Sequence, residues 1–475
     1  MSFRLIVVLL LVELSSSYAQ PAGTFTATGS MITPRWRHTA TLLNNGKVLI
    51  AGGQATDVPS TASSPPLASA ELYDPSTGTF VQAGSMTEPR AGHTASLLPD
   101  GRVLIAGAWN GLSPQAAGTA EIYDPSTNAF TSTGSMRANL TADTATLLNN
   151  GKVLITAGDP VSELYDPAMG TFAPTGSAPT TYAGPTATLL PDGRVLILPG
   201  YPEGDTQLTE IYDPATGLFS IRDWVDSLRF GSTATLLTTG KVLVTLSPPE
   251  CDGSLDQTAL YDSEAGKFIA AATMAFGACL PTRVTLSDGK VLLAGGWFAG
   301  PHSQVYDPGS DTFIGTGDMA SDRHDHTATL LNDGTVLIAG GLHNVQDPVL
   351  VAELYHPAVA YAPPALFSLS GDGRGQGAIL HAGTQQVVST DNPATAGEAL
   401  EIYGAGLIDG SVIPPQVATG GRLAEVLFFG KAPGYAGLNQ VNVRIPDGII
   451  PGPAVPVRLN YMGRPSNEVT LYSRA

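Results

Sequence analysis

Short apolar runs, each closed by a polar turn, set the rhythm of this chain. Thr39-Ala-Thr-Leu-Leu43 is a β-branched and apolar run. Asn44-Asn-Gly46 ends it with a glycine that permits the positive φ of a tight hairpin. Lys47-Val-Leu-Ile-Ala51 reads as a second strand and Ala70-Glu-Leu-Tyr73 as a third. Asp74-Pro-Ser-Thr-Gly78 then makes a turn: aspartate accepts backbone N–H groups, proline fixes φ, and glycine supplies the left-handed position. Thr79-Phe80 opens a fourth strand.

This unit recurs. Its turn glycine returns at Gly46, Gly101, Gly151, Gly193, Gly240, Gly289 and Gly334, and its tyrosine at Tyr73, Tyr123, Tyr165, Tyr212, Tyr261, Tyr306 and Tyr355. Four short strands at intervals of 42 to 55 residues make a propeller blade, so the pattern predicts an all-β, seven-bladed β-propeller over residues 20–358. The seventh unit stops at Tyr355-His356-Pro357 without its Thr-Gly-x-Phe strand, while Gly23-Thr24-Phe25 stands alone near the N-terminus. The N-terminal strand is therefore expected to complete the last blade and close the ring, leaving no unpaired edge. After Pro363-Pro364 the repeat ends. Runs such as Ala399–Tyr403, Ala424–Phe429 and Val455–Tyr461, punctuated by Gly and Pro, predict a small β-sandwich over residues 359–475.

Composition agrees with that reading. The 475 residues include 54 glycines and 37 prolines, above the roughly 12% usual for the two together. With 43% hydrophobic residues, 13% charged residues and a mean hydropathy of +0.10, a disordered chain is excluded. A net charge of −18, without any Lys/Arg cluster, argues against nucleic-acid partners and anionic membrane surfaces. Residues 1–19 read as a cleaved signal peptide: Arg4, the apolar run Leu5–Val12, and a Ser17-Tyr18-Ala19 cleavage site. That run is too short to span a bilayer, so the mature protein is expected to be secreted or periplasmic. In such a compartment Cys251 and Cys279 are expected to form a disulfide, with two buried thiols as the alternative.

The Gly-Gly after the second strand, the tyrosine of the third and the Thr-Gly-x-Phe turn resemble the kelch family, in particular the central domain of the galactose oxidase family. The likeness covers residues 23 to 357; the diglycine survives at Gly52-Gly53, Gly295-Gly296 and Gly340-Gly341 and is degraded in the other four units. Segments Gly375–Leu380, Ala432–Asn442 and Ile445–Gly448 resemble a C-terminal domain of exported bacterial proteins, which implies an Ig-like module. The oxidase resemblance implies copper held by imidazole and phenolate, with one tyrosine cross-linked to a cysteine. In that family a Tyr-His pair opens the inner strand of the last blade; here the pair is Asp325-His326. The row nine before each turn glycine is Arg37, Gly92, Ala142, Gly184, Gly231, Leu280 and Asp325, with no tyrosine. Cys279 has no evident tyrosine partner, and His381 is the one second-domain histidine that could complete such a site. No cofactor is therefore expected.

Gly-x-Ser-x-Gly, His-Glu-x-x-His and Cys-x-x-Cys are all absent. Gly371–Gly377 is followed by no helical pattern, Asp252–Asp256 lacks further spaced oxygen ligands, and the Tyr-Asp-Pro aspartates read as turn-formers. A better candidate comes from repeat geometry. His38, His93 and His326 stand eight before the turn glycine, and Arg35, Arg90, Arg229 and Arg323 eleven before it. Both rows fall where inner strands begin, on the face that also carries the loops of variable length. They either converge into a ligand-binding mouth or tie each blade to the next. Three functions follow as expectations: binding of an extracellular glycan or protein, an extracellular carbohydrate-active enzyme, or a structural surface module.

Overall fold

A computed structural model of the chain describes residues 23–474 apart from 56–64, 110–114, 137–142, 158–160, 180–181, 203–207, 225–232, 247–256, 344–346 and 436. Among the described residues there is no helix. Seven four-stranded antiparallel sheets follow one another along the chain. In blade 1 the strands run from Thr39–Leu42, innermost, through Val48–Ala51 and Ala70–Asp74 to Thr79–Gln82. Each inner strand packs against those of both neighbours, and Thr327–Leu330 of blade 7 meets Thr39–Leu42 to complete the ring.

The second strands are buried throughout, as in Val48–Ala51 and Val336–Ala339. They read as unbroken apolar runs because both of their faces meet another blade. Val48 and Ile50 pack towards blade 7 with Leu337, whereas Leu49 packs towards blade 2 with Val103. The turn glycines hold φ between +82° and +88°, which only glycine adopts without cost.

Closure is as the sequence implies. Thr24–Ser30 pairs antiparallel with Val351–His356, setting Phe25 opposite Tyr355. The seven repeat tyrosines are buried, and each packs on the phenylalanine of its outer strand at 4.8–5.0 Å between centroids. Phe25 fills that position for Tyr355, so the N-terminal strand supplies a core side chain as well as a hydrogen-bonded edge.

The tyrosine hydroxyls reveal a compensation between blades. Tyr73, Tyr165, Tyr212 and Tyr355 pair with Thr28, Thr133, Thr175 and Thr316 at the end of the preceding blade's outer strand, at 2.8–3.0 Å. Blades 1 and 5 carry Ala83 and Ala271 at that position. In the blades that follow them, the turn glycine is replaced by Asn128 and Asp311, whose Oδ1 accepts from Tyr123 and Tyr306, each at 2.9 Å. Both replacements hold the left-handed backbone, at φ +54° and +50°.

Residues from Ala365 to Arg474 form one curled nine-stranded sheet around its own apolar core. It sits on the short-turn face of the propeller. Arg464 Nη2 donates to the carbonyls of Asn332 (2.6 Å) and Tyr361 (2.7 Å), Arg458 Nη1 to Asn44 (3.1 Å), and Val412 N–H to Thr238 (3.0 Å). The connection after Tyr355 is too short to carry the sheet round the ring, since extended chain gains about 3.5 Å per residue.

Candidate functional site

The arginine row lies inside the blade walls. Arg35, Arg90 and Arg323 are 0–2% exposed and form ion pairs with Glu71 (2.7 Å), Glu121 (3.1 Å) and Glu353 of their own blades. Their remaining N–H groups meet carbonyls, Gly52 and Ser69 for Arg35, and Gly107, Ala116 and Thr119 for Arg90. Each glutamate also accepts backbone N–H groups of the segment entering its blade, as Glu71 does from Ile32 and Thr33. At these three positions, of the two readings the sequence left open, the guanidiniums lie ion-paired inside the blade walls and not around an open mouth, with Arg323 Nε left without a hydrogen-bond partner. In these three blades the glutamate stands two before the repeat tyrosine. Where blade 6 has Ala278 instead of arginine, Gln304 replaces the glutamate and still accepts from Ala275 N–H at 2.7 Å. Arg229 lies outside the described residues.

The histidine row is equally internal. His38, His93 and His326 are 5–6% exposed, and their Cε1 atoms rest on Gly340, Gly52 and Gly295 of the preceding blade. A Cβ at those glycines would come within 2.6–2.9 Å of the rings, and φ there is +57° to +66°. The diglycine thus survives in the three blades that are followed by a histidine. Burial first, then Arg35 and His93, hold His38 down to about 3; burial, then Arg90 and Arg35, do the same for His93. Neutral, enclosed imidazoles cannot serve as a cationic mouth.

What faces the loop-rich side is the segment just before these histidines. Arg37, Leu280 and Asp325 share a row and hold φ of +52° to +53°, a left-handed strain that non-glycine residues adopt only where surroundings impose it. Asp325 carbonyl accepts from Arg37 N–H (3.3 Å), and Arg37 carbonyl accepts from Gly92 N–H (3.0 Å), linking blades 7, 1 and 2 along the rim. The Arg37 guanidinium lies 4.7 Å from the Trp36 ring centre and 4.2 Å from that of Trp109, which is 45% exposed. On the other side Trp297 stacks on His324 at 3.6 Å, beside the 68% exposed Phe298. His324 Nδ1 lies 3.1 Å from Asp325 Oδ2. An arc of aromatic faces with a guanidinium and a carboxylate therefore spans blades 6, 7, 1 and 2, with the His324 imidazole buried beneath Trp297. Sequence reasoning passed over it. Trp109 and Trp297 share the third position after the second strand, and that row was the signal.

The other sequence candidates resolve into structure. Asp74 Oδ1 accepts from Ser76 N–H (3.0 Å) and Oγ (2.6 Å), so it shapes its turn. Asp372 does the same for Ser370 and Arg374 within the glycine-rich loop. His381 is buried between Glu398 and the Asn392 carbonyl. Cys279 is disulfide-bonded, and Cys251 and Asp252–Asp256 lie outside the described residues.

Residues 35–87 match the Kelch motif. No curated protein matches the sequence significantly. Among solved structures the fold is similar to a fungal alcohol oxidase of the AA5 family in complex with copper, with a TM-score of 0.59 and 15% identity. The match covers 95% of this chain and all of that one.

Proposed function

We propose that this kelch-type propeller is an exported binding protein that holds a glycan at the rim formed by Trp36, Arg37, Trp109, Trp297 and Asp325. The observation that carries the reading is the Arg37 guanidinium seated between two indoles on a backbone strained left-handed. Indole faces suit the C–H faces of a pyranose, and the flanking charged groups suit its hydroxyls. Export rests on residues 1–19. The test is a glycan array followed by calorimetry on mature protein. Trp109→Ala should weaken the best ligand about tenfold without lowering Tm, since the indole is half exposed. Unchanged affinity, or capture of protein ligands alone, would overturn the reading.

An oxidase activity follows less well from these residues. Copper of the AA5 kind requires donors that the described residues of this chain do not bring together. Asp325 stands in the tyrosine position, His326 is enclosed against Gly295, and Cys279 is committed to a disulfide. Among the described residues no group of three or more His, Cys, Asp or Glu is placed to hold a metal. The donor set among the described residues does not fit copper.

A further inference from the structure

A second site lies on the opposite face, where the C-terminal sheet overhangs the propeller. Arg422–Lys431 is one of its longest strands, and its two halves are partnered differently. Its first residues pair with Gln416–Thr419, with Ala424 opposite Val417. From Glu425 to Lys431 it pairs with Asn439–Arg444 alone. A strand has two edges, so over this second half one edge is unpaired among the described residues. Pro414-Pro415 accounts for the gap, because proline has no N–H with which to prolong the neighbouring strand.

A cleft of about 810 Å³ opens at that place. Its walls are Pro414 and Pro415, the strand residues Leu423–Phe429, and the hairpin turns at Asn149-Asn150 and Pro191-Asp192 of the propeller. A bulge between Val426 and Phe428 breaks the alternation, and Leu427 and Phe428, consecutive in sequence, are each 42% exposed. Three carboxylates line the cleft: Asp192 is paired with Arg194 (2.6 Å) and Glu425 with Arg444 (2.9 Å), and Asp447 has no ion pair among the described residues. Unpaired backbone groups call for another strand, exposed aromatic and aliphatic side chains for apolar partners, and the Asp447 carboxylate, without an ion pair of its own, for a basic one.

We propose that this cleft binds an extended peptide of alternating apolar and basic side chains, which adds as a strand to the free edge of Val426–Gly430. The site is independent of the glycan reading and lies on the other face.

The experiment uses the mature full chain and fluorescein-labelled hexapeptides read by anisotropy. Val-Lys-Val-Lys-Val-Lys should bind saturably. The same peptide N-methylated at alternate amides, which keeps charge and side chains but removes N–H donors, should bind at least about tenfold more weakly. Val-Glu-Val-Glu-Val-Glu should fail similarly. Phe428→Ala and Asp447→Asn should each weaken binding several-fold while leaving Tm unchanged. Absence of saturable binding, equal binding of the N-methylated peptide, or indifference to both substitutions would overturn the proposal. Sedimentation showing a dimer that Phe428→Ala disperses would assign the edge to a second copy instead, and would equally overturn it.

Discussion

Replacing Asn128 by glycine puts the inter-blade tyrosine arrangement to a direct test. Four other turns carry glycine at this position, at φ +64° to +71°, so local propensity alone favours the change. Relief of the left-handed strain at φ +54° is worth about 1 kcal/mol or less for asparagine, which tolerates that region. Against it stands the Tyr123 hydroxyl. It is fully buried, donates to Asn128 Oδ1 at 2.9 Å, and has Ala83 where four other blades offer threonine. A buried hydroxyl left without its partner costs about 1–3 kcal/mol. The loss outweighs the gain, and Asn128→Gly should destabilise by about 1 kcal/mol, a fall in Tm of roughly 1–2 °C for a propeller this size. Ala83→Thr restores the partner used by Tyr73, Tyr165, Tyr212 and Tyr355, so Ala83→Thr/Asn128→Gly should regain most of the loss. Calorimetry of the wild type, both single variants and the double variant closes the cycle. Additive effects, or a stabilised Asn128→Gly, would show that the tyrosine hydrogen bond does not select the turn residue.

Glu121→Leu leaves Arg90 charged inside the wall and should cost about 3–5 kcal/mol, whereas Arg90→Ala/Glu121→Gln, which copies the Ala278/Gln304 solution of blade 6, should cost less; urea titration compares them. His38 and His93 titrate near 3 in the fold against about 6.5 unfolded, so the unfolded chain binds more protons between those values. Stability should therefore fall as pH drops from about 6.5 towards 3, by up to about 1.4 kcal/mol per unit for each histidine, and His93→Asn should flatten the slope; a flat profile from pH 7 to 4.5 would contradict it. Removing residues 20–31 strips Phe25 from Tyr355 and bares the edge of Val351–His356, so the product should be insoluble or strongly destabilised; melting within a couple of degrees of the mature chain would refute the closure.

Every blade repeats its local chemistry at a fixed spacing, and for that reason strand order, blade number and N-terminal closure were legible from residues alone. A glycine before Lys-Val-Leu or an Asp-Pro-Ser-Thr-Gly turn acts on its immediate neighbours, so its meaning survives without coordinates. The candidate site was legible only in outline: the loop-rich face could be chosen, but its residues could not. Arg35 looked free until Glu71 was found across the sheet, and His38 until Gly340 of the preceding blade was found beneath it. The rim of Trp36, Arg37, Trp109 and Asp325 brings together residues from three blades, separated by as many as 289 positions. The open edge after Pro414-Pro415 likewise depends on which strand stops beside which. Such contacts are decided by how the ring closes and which side chains then share a wall, and only tertiary packing settles both.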